Sequence, residues 1–326
     1  VGLILFLGEI TAKLTKVDWK HLDQQILDAI KKMKAADYED PTIRSVYYIL
    51  STANIIPATK SGYKSLDAKM VDMRKDGTIP WGYFAVKRGR SVEGSHFFTP
   101  DRWANHMIDR VKDAHITYSL PRWFGQENLV EVWVEKDGLL GATVNWVRDL
   151  DVTVRAPQGQ GAWEFLHDAM KSIQEELEVQ GKSEVYILYG ADLDPSGQKI
   201  PEVIKEKGLS YFADHFGMDQ LDFKVIALTP QQVTDNKLPE MPESAEVLAK
   251  INRDPNLKWY RENYPDMFTE LDAFFALSTA EAKRTIREAV EDLFDQVQFK
   301  KSRKLEKEYK DKVKDIVDDK VEFKED

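Results

Sequence analysis

The run Val185-Tyr-Ile-Leu-Tyr-Gly-Ala-Asp-Leu-Asp-Pro-Ser-Gly197 constrains the fold of this chain more than any other stretch. Val185 to Tyr189 is short, β-branched and aromatic, the composition of a strand buried on both faces. Gly190 closes it. Asp192 and Asp194 are two apart, so extended backbone points both side chains the same way. Pro195 and Gly197 break the strand, and a helical pattern begins at Gln198. An open α/β sheet places its ligand site at the carboxyl ends of its strands. Two carboxylates there are hard oxygen donors that suit Mg²⁺, with Mn²⁺ as a substitute. The same residues also describe an acidic turn that caps the next helix.

A second acidic strand end lies upstream. Leu129-Val-Glu-Val-Trp-Val-Glu-Lys-Asp137 alternates Val130, Val132 and Val134, and Glu135 falls at its carboxyl end before Gly138 and a helical stretch over 139–147. With βα units between them, Glu135, Asp192 and Asp194 are expected to surround one or two divalent ions. Such a cluster polarises a phosphoryl oxygen and stabilises a leaving alkoxide.

The order Val134-Glu-Lys-Asp-Gly138, then Gly190-Ala-Asp-Leu-Asp-Pro-Ser-Gly197, resembles the Toprim domain of topoisomerases, primases and related nucleases. The wording is most similar to the A subunit of type IIB topoisomerases (topoisomerase VI) and its meiotic double-strand-break relatives. Thr42-Ile-Arg-Ser-Val-Tyr-Tyr-Ile-Leu50 resembles that family's Arg-x-x-Tyr-Tyr signature. The resemblance implies an α/β protein: an N-terminal winged helix-turn-helix, a Toprim domain with a Rossmann-like parallel sheet, and here a helical C-terminal tail. It implies Tyr48 as nucleophile with Arg44 as its companion, and Mg²⁺ held by Glu135, Asp192 and Asp194. It further implies a 5′-phosphotyrosyl intermediate on double-stranded DNA. The implied assembly is a homodimer in which one chain's tyrosine meets the other's metal site. A topoisomerase role would also need a separate ATPase subunit. A phenol with a pKa near 10 is a poor nucleophile, so an arginine or a general base must favour its phenolate.

The segment after Tyr48 reads as a DNA-binding module on independent grounds. Residues 55–63 form a turn pattern, and 65–75 a helix with Leu66, Met70 and Met73 on one stripe. Residues 79–84 are expected to supply a wing, completing a winged helix-turn-helix. Residues 42–90 hold nine Lys or Arg (Arg44, Lys60, Lys64, Lys69, Arg74, Lys75, Lys87, Arg88 and Arg90) against three Asp, a local +6 in a chain of net −10. A basic segment on an acidic protein is an electrostatic footprint for a phosphate backbone. A solvated Lys-rich helix face gives a similar count.

Other chemistries lack their residues. There are no cysteines, which excludes disulfides, thiolate metal sites and a Cys nucleophile. No P-loop, dinucleotide-binding Gly-x-Gly-x-x-Gly, His-Glu-x-x-His or Gly-x-Ser-x-Gly pattern is present. No stretch approaches the ~20 apolar residues of a membrane span, and residues 1–7 read as a buried segment or an interface strand of a chain that begins inside a longer one. A cytoplasmic, nucleoid-associated location is expected. The chain divides, on this reading, into an N-terminal helical segment (1–37, with an amphipathic helix from residue 17), the winged helix and connector (38–127), the Toprim domain (128–265) and a helical C-terminal region (266–326). Residues 230–265 read as a long loop with a short helix, and 279–298 as one helix. Leu305, Tyr309, Val313 and Ile316 form a seam on an exposed or oligomer-forming helix. Glu270 and Asp272 are candidate further acidic ligands but are assigned in the first place to the surface, and His96, His106 and His115 to packing or surface. Two alternatives remain: a Toprim nuclease that cleaves DNA with metal-activated water, and a catalytically silent DNA-binding homologue.

Overall fold

The computed structural model describes residues 19, 22–36, 38, 41–80, 99–157, 163–218, 220–241 and 245–320. The expected wing beyond Pro80, the basic residues Lys87, Arg88 and Arg90, His96, and the apolar run 1–7 lie outside them. In chain order the elements are α1 (Asp23–Ala35), α2 (Ile43–Thr52), α3 (Lys60–Lys75), α4 (Pro100–Lys112), α5 (Ala114–Thr117), β1 (Asn128–Val134), α6 (Asp137–Val147), β2 (Thr153–Arg155), α7 (Trp163–Gln180), β3 (Glu184–Gly190) and α8 (Pro195–Val203). A π-helical turn (Ile204–Leu209) leads into α9 (Ser210–Phe216), followed by β4 (Leu221–Ala227), α10 (Pro230–Asp235), α11 (Ala245–Asn252), α12 (Leu257–Asn263), α13 (Leu271–Leu277), α14 (Thr279–Glu291) and α15 (Gln296–Lys320).

The chain forms two compact units, each assembled from separated segments: residues 1–85, 192–198 and 228–283 make one, and 86–191, 199–227 and 284–326 the other. The second unit holds the sheet, four parallel strands in the order β2-β1-β3-β4. Chain order reverses between β1 and β3, since β1 leads outward to β2 on one side while β3 leads to β4 on the other. This is the topological switch point at which open sheets bind ligands. Trp133, Ile187 and Tyr189 pack with Met170 and Ile173 of α7 and Phe212 of α9 in one apolar core.

Glu131 stands on β1 between the valines and is fully buried. Both its oxygens are engaged: Arg155 donates to them at 2.8 and 2.9 Å, and the Trp133 indole donates at 2.6 Å. A buried carboxylate persists when its charge is paired and its lone pairs are filled. Lys182 is the other buried charge among the described residues of this unit. Its ammonium donates to the carbonyls of Trp123 and Asn128, and burial lowers its pKa to about 8.

The first unit opens with three helices. Thr42 caps α2 in a reciprocal box with Ser45, and the Tyr38 hydroxyl bonds Ser45 at 2.9 Å. Thr59 caps α3 by accepting from the Gly62 N–H at 3.1 Å. Gly62 is required there, because a Cβ would lie 2.4 Å from the Pro57 carbonyl. Residues 53–59 join α2 to α3, and the two helices pack together. Ile26, Ala29, Ile30 and Met33 form the buried stripe of α1; residues 17, 18, 20, 21 and 37 of the expected 17–37 helix lie outside the described residues.

Residues 230–265 are not a loop. They carry three short helices, α10 to α12, the first begun by a Thr229–Gln232 capping box with Pro230 at its first turn. Nor is 279–298 a single helix: it breaks between Glu291 and Gln296, where the Asp295 side chain caps the new start at Val297 and Gln298. On α15 the expected seam is only half-buried at Leu305, Tyr309 and Val313, with Tyr309 edge-on to Tyr118, and Ile316 is exposed. No described helix is long and apolar enough to cross a membrane.

Candidate active site

Arg44 and Tyr48 are one helical turn apart on α2, so they share a face. That face meets α13: Tyr48 packs against Ala273 and Ala276 and is 6% exposed. The Arg44 guanidinium donates to Glu270 Oε1 at 2.5 Å. Arg44 and Glu270 both act electrostatically on the Tyr48 hydroxyl. Tyr47 stacks edge-on between Tyr48 and Tyr63, at 5.8 and 5.5 Å, and its own hydroxyl reaches the Thr59 carbonyl. The Arg44 and Glu270 charges act on both adjacent tyrosines, while the Tyr47 hydroxyl is directed to the Thr59 carbonyl.

The electrostatics follow from burial. Desolvation is the largest influence on the Tyr48 phenol and pushes its pKa well above the ordinary value; the Glu270 charge adds to that, and Arg44 opposes it. Desolvation is the largest single influence and works against the Arg44 charge, but Glu270, Tyr48 and Asp272 together outweigh it and raise the guanidinium pKa above its ordinary value. Asp272 is 2% exposed and its charge reaches Tyr38, Tyr48 and Arg44. The surface role expected for Glu270 and Asp272 is thus overturned: both sit at the start of α13, turned against α2.

Asp192 and Asp194 are built into the same unit by a short antiparallel bridge. Leu193 and Thr269 exchange backbone hydrogen bonds at 2.9 and 3.0 Å. This sets Asp192 beside the first turn of α13, where its Oδ1 accepts the Leu271 N–H at 2.8 Å. Asp194 caps α8 through Gly197 N–H to Oδ1 at 2.5 Å, so the helix-capping reading of this acidic turn holds for that residue. Gly197 cannot carry a side chain, since its Cβ would fall 2.4 Å from the Asp192 carbonyl oxygen. The Asp-x-Asp-Pro-x-Gly pattern is thereby explained locally: the turn folds back over Asp192 and only glycine fits.

Asp192, Asp194, Asp254 and Glu270 line one pocket of about 100 Å³ with Met241, Ile251 and Lys250. Asp254 is occupied by Ser196, which donates to it at 2.5 Å. Each of Asp192 and Asp194 directs one oxygen to backbone, and hard-oxygen pairs of this kind suit Mg²⁺ completed by substrate oxygens. Among the described residues no group of three or more His, Cys, Asp or Glu that could hold a metal ion is found. Glu135 belongs to the other unit. It follows β1 at the switch point, where its N–H donates to the Gly190 carbonyl at 2.8 Å.

Of the basic residues, Lys60, Lys64 and Lys75 are exposed on α3 and fall within about 60° of one another at 100° per residue, opposite the buried stripe Gly62, Leu66, Met70, Met73. Arg74 is half-buried at the flank of that face. Lys69 is set apart, with its ammonium 2.5 Å from Asp23 of α1, so it ties the helices together. Sequence reasoning missed Glu270 as a partner of Arg44 because nothing in a local pattern links residues so far apart. The one available signal was an acidic pair directly before the apolar run Ala273-Phe-Phe-Ala276.

The chain matches no family model, no curated protein and no solved structure with which it was compared.

Proposed function

We propose that this protein cleaves double-stranded DNA by transesterification, with Tyr48 attacking a backbone phosphate. The reading is carried by one observation: Glu270 pairs with Arg44 beside the Tyr48 hydroxyl and also lines the pocket of Asp192 and Asp194. A tyrosine hydroxyl, a guanidinium and a pair of carboxylates thus belong to one unit, which supports this reading. Phosphoryl transfer needs these parts. Arg44 would stabilise negative charge on the phenolate and on the phosphate oxygens. Asp192 and Asp194 would hold Mg²⁺, with Glu135 added to that set by the family resemblance alone. When bound, the ion would supply positive charge for the phosphate and the departing 3′ oxygen. Burial of Tyr48 would exclude competing water. Lys60, Lys64, Arg74 and Lys75 would bind the DNA backbone, helped by Lys87, Arg88 and Arg90. A homodimer, a separate ATPase subunit and a cytoplasmic, nucleoid-associated location belong to the same proposal, with Tyr48 serving the acidic pair of its own chain where the resemblance implies the partner's.

A second reading is favoured by the 6% exposure of Tyr48 and its packing against α13. There Tyr48 is a core residue, and water activated at the acidic pair cuts the strand. Both readings require the carboxylates. Supercoiled plasmid incubated with Mg²⁺ or Mn²⁺ should be nicked or linearised by the native chain and not by Asp192→Ala or Asp194→Ala. Equal cleavage by all three chains would exclude both readings.

A further inference from the structure

We propose that Glu270 is a catalytic residue, the general base that takes the Tyr48 proton. The proposal rests on the transesterase reading and assigns a residue to its chemistry. Three observations carry it. Glu270 Oε1 lies 2.5 Å from Arg44 Nη2, so the carboxylate is oriented by a fixed cation as a base beside a nucleophile must be. The Leu193–Thr269 bridge and the Asp192–Leu271 hydrogen bond hold the backbone on both sides of Glu270, so its position is set by the fold. The side chain, 14% exposed, reaches Arg44 and also lines the pocket of Asp192 and Asp194. Burial and the Glu270 charge together keep the phenol protonated at rest. A neutral tyrosine with a carboxylate at its hydroxyl is the starting state of general-base catalysis.

The step balances as follows. Glu270 takes the phenolic proton as the Tyr48 oxygen forms its bond to phosphorus. The bond from phosphorus to the 3′ oxygen breaks, and that oxygen leaves with its electron pair and takes a proton from water. Glu270 returns its proton to Tyr48 when the strand is rejoined. Arg44 stays charged throughout. The charged groups around Glu270 are Arg44 on α2, Asp272 on α13, Asp192 and Asp194 after β3, and Lys250 and Asp254 on and beside α11.

The experiment measures the rate of SDS-stable protein–DNA linkage by the full chain from pH 6.5 to 9.5, for the native protein, Glu270→Gln and Glu270→Asp, with thermal midpoints and DNA affinity recorded for each. Glu270→Gln should lower the rate at neutral pH by about 10²–10³-fold. Its remaining rate should climb about tenfold per pH unit as hydroxide replaces the base, while the native profile is flatter. Glu270→Asp should recover part of the loss. A Gln variant within about threefold of native, or one slower by the same factor at every pH, would overturn the assignment and leave Glu270 as an anchor for Arg44. Free ends made equally by native and Tyr48→Phe, or no linkage by the native chain, would instead overturn the transesterase reading, and Glu270's role with it. If Glu270→Gln fails to fold, Glu270→Asp decides by the same pH comparison.

Discussion

Arg44 Nη2 donates to Glu270 Oε1 at 2.5 Å, although 226 positions separate the two in sequence. The contact joins α2 to the start of α13, and Tyr48 packs immediately beside it. It is a half-exposed ion pair at the Arg44 end, which limits what it adds to stability. A double-mutant cycle with Arg44→Ala and Glu270→Ala, read by urea denaturation, should give a coupling of about 1 kcal/mol, reduced by solvent screening. Coupling near zero would mean that the pair contributes no net stability in solution.

Gly197→Ala should destabilise the protein. Alanine normally improves a helix over glycine by up to about 1 kcal/mol, so the sign of the change is diagnostic. The 2.4 Å approach of a Cβ to the Asp192 carbonyl forces the turn open, at a cost of about 1–3 kcal/mol. Chemical denaturation measures it, and plasmid cleavage should fall with it because Asp192 moves.

Alkaline pH should unfold this protein through its buried phenols. Burial raises Tyr38, Tyr48 and Tyr260 above the ordinary tyrosine value. The unfolded chain then releases protons from about pH 10 while the folded one holds them, so stability is full below that pH and falls as pH rises through it. Each such phenol contributes about 1.4 kcal/mol per pH unit. Denaturation midpoints across pH 9–11 should decline, and less steeply in Tyr48→Phe. An identical decline in both would show that Tyr48 ionises normally.

DNA affinity should depend on α3 unevenly. Replacing Lys60, Lys64 and Lys75 together with alanine should lower the salt slope of binding by about 3, measured by fluorescence anisotropy. Lys69→Ala should change that slope little and lower stability instead, because its ammonium is held by Asp23. Equal effects would mean that α3 does not present this face to DNA.

Local chemistry made much of the fold legible. The apolar runs around Val132 and Ile187, ended by Glu135 and Gly190, mark β1 and β3, and the residues between them alternate as βα units do. Gly62 and Gly197 stand where backbone approaches leave no room for a Cβ. What sequence could not show is long-range. Glu131 looks like the polar position of an alternating strand, yet it is buried because Arg155 comes from β2 to neutralise it. Glu270 and Asp272 look like surface acids at a helix start, and only the docking of α13 on α2 buries them. The Pro-rich stretch 230–265 conceals its helices because each is too short to show a period and depends on caps such as Thr229. The two units interleave along the chain, an arrangement that no composition shift marks.

The most direct test of the central claim is plasmid cleavage with Mg²⁺ or Mn²⁺, stopped with SDS and analysed for protein bound to the broken ends, comparing the native chain with Tyr48→Phe. The account predicts 5′ ends linked to protein in the native reaction and none in Tyr48→Phe. Free ends produced equally by both chains would contradict it and make the protein a metal-dependent hydrolase with Tyr48 in its core.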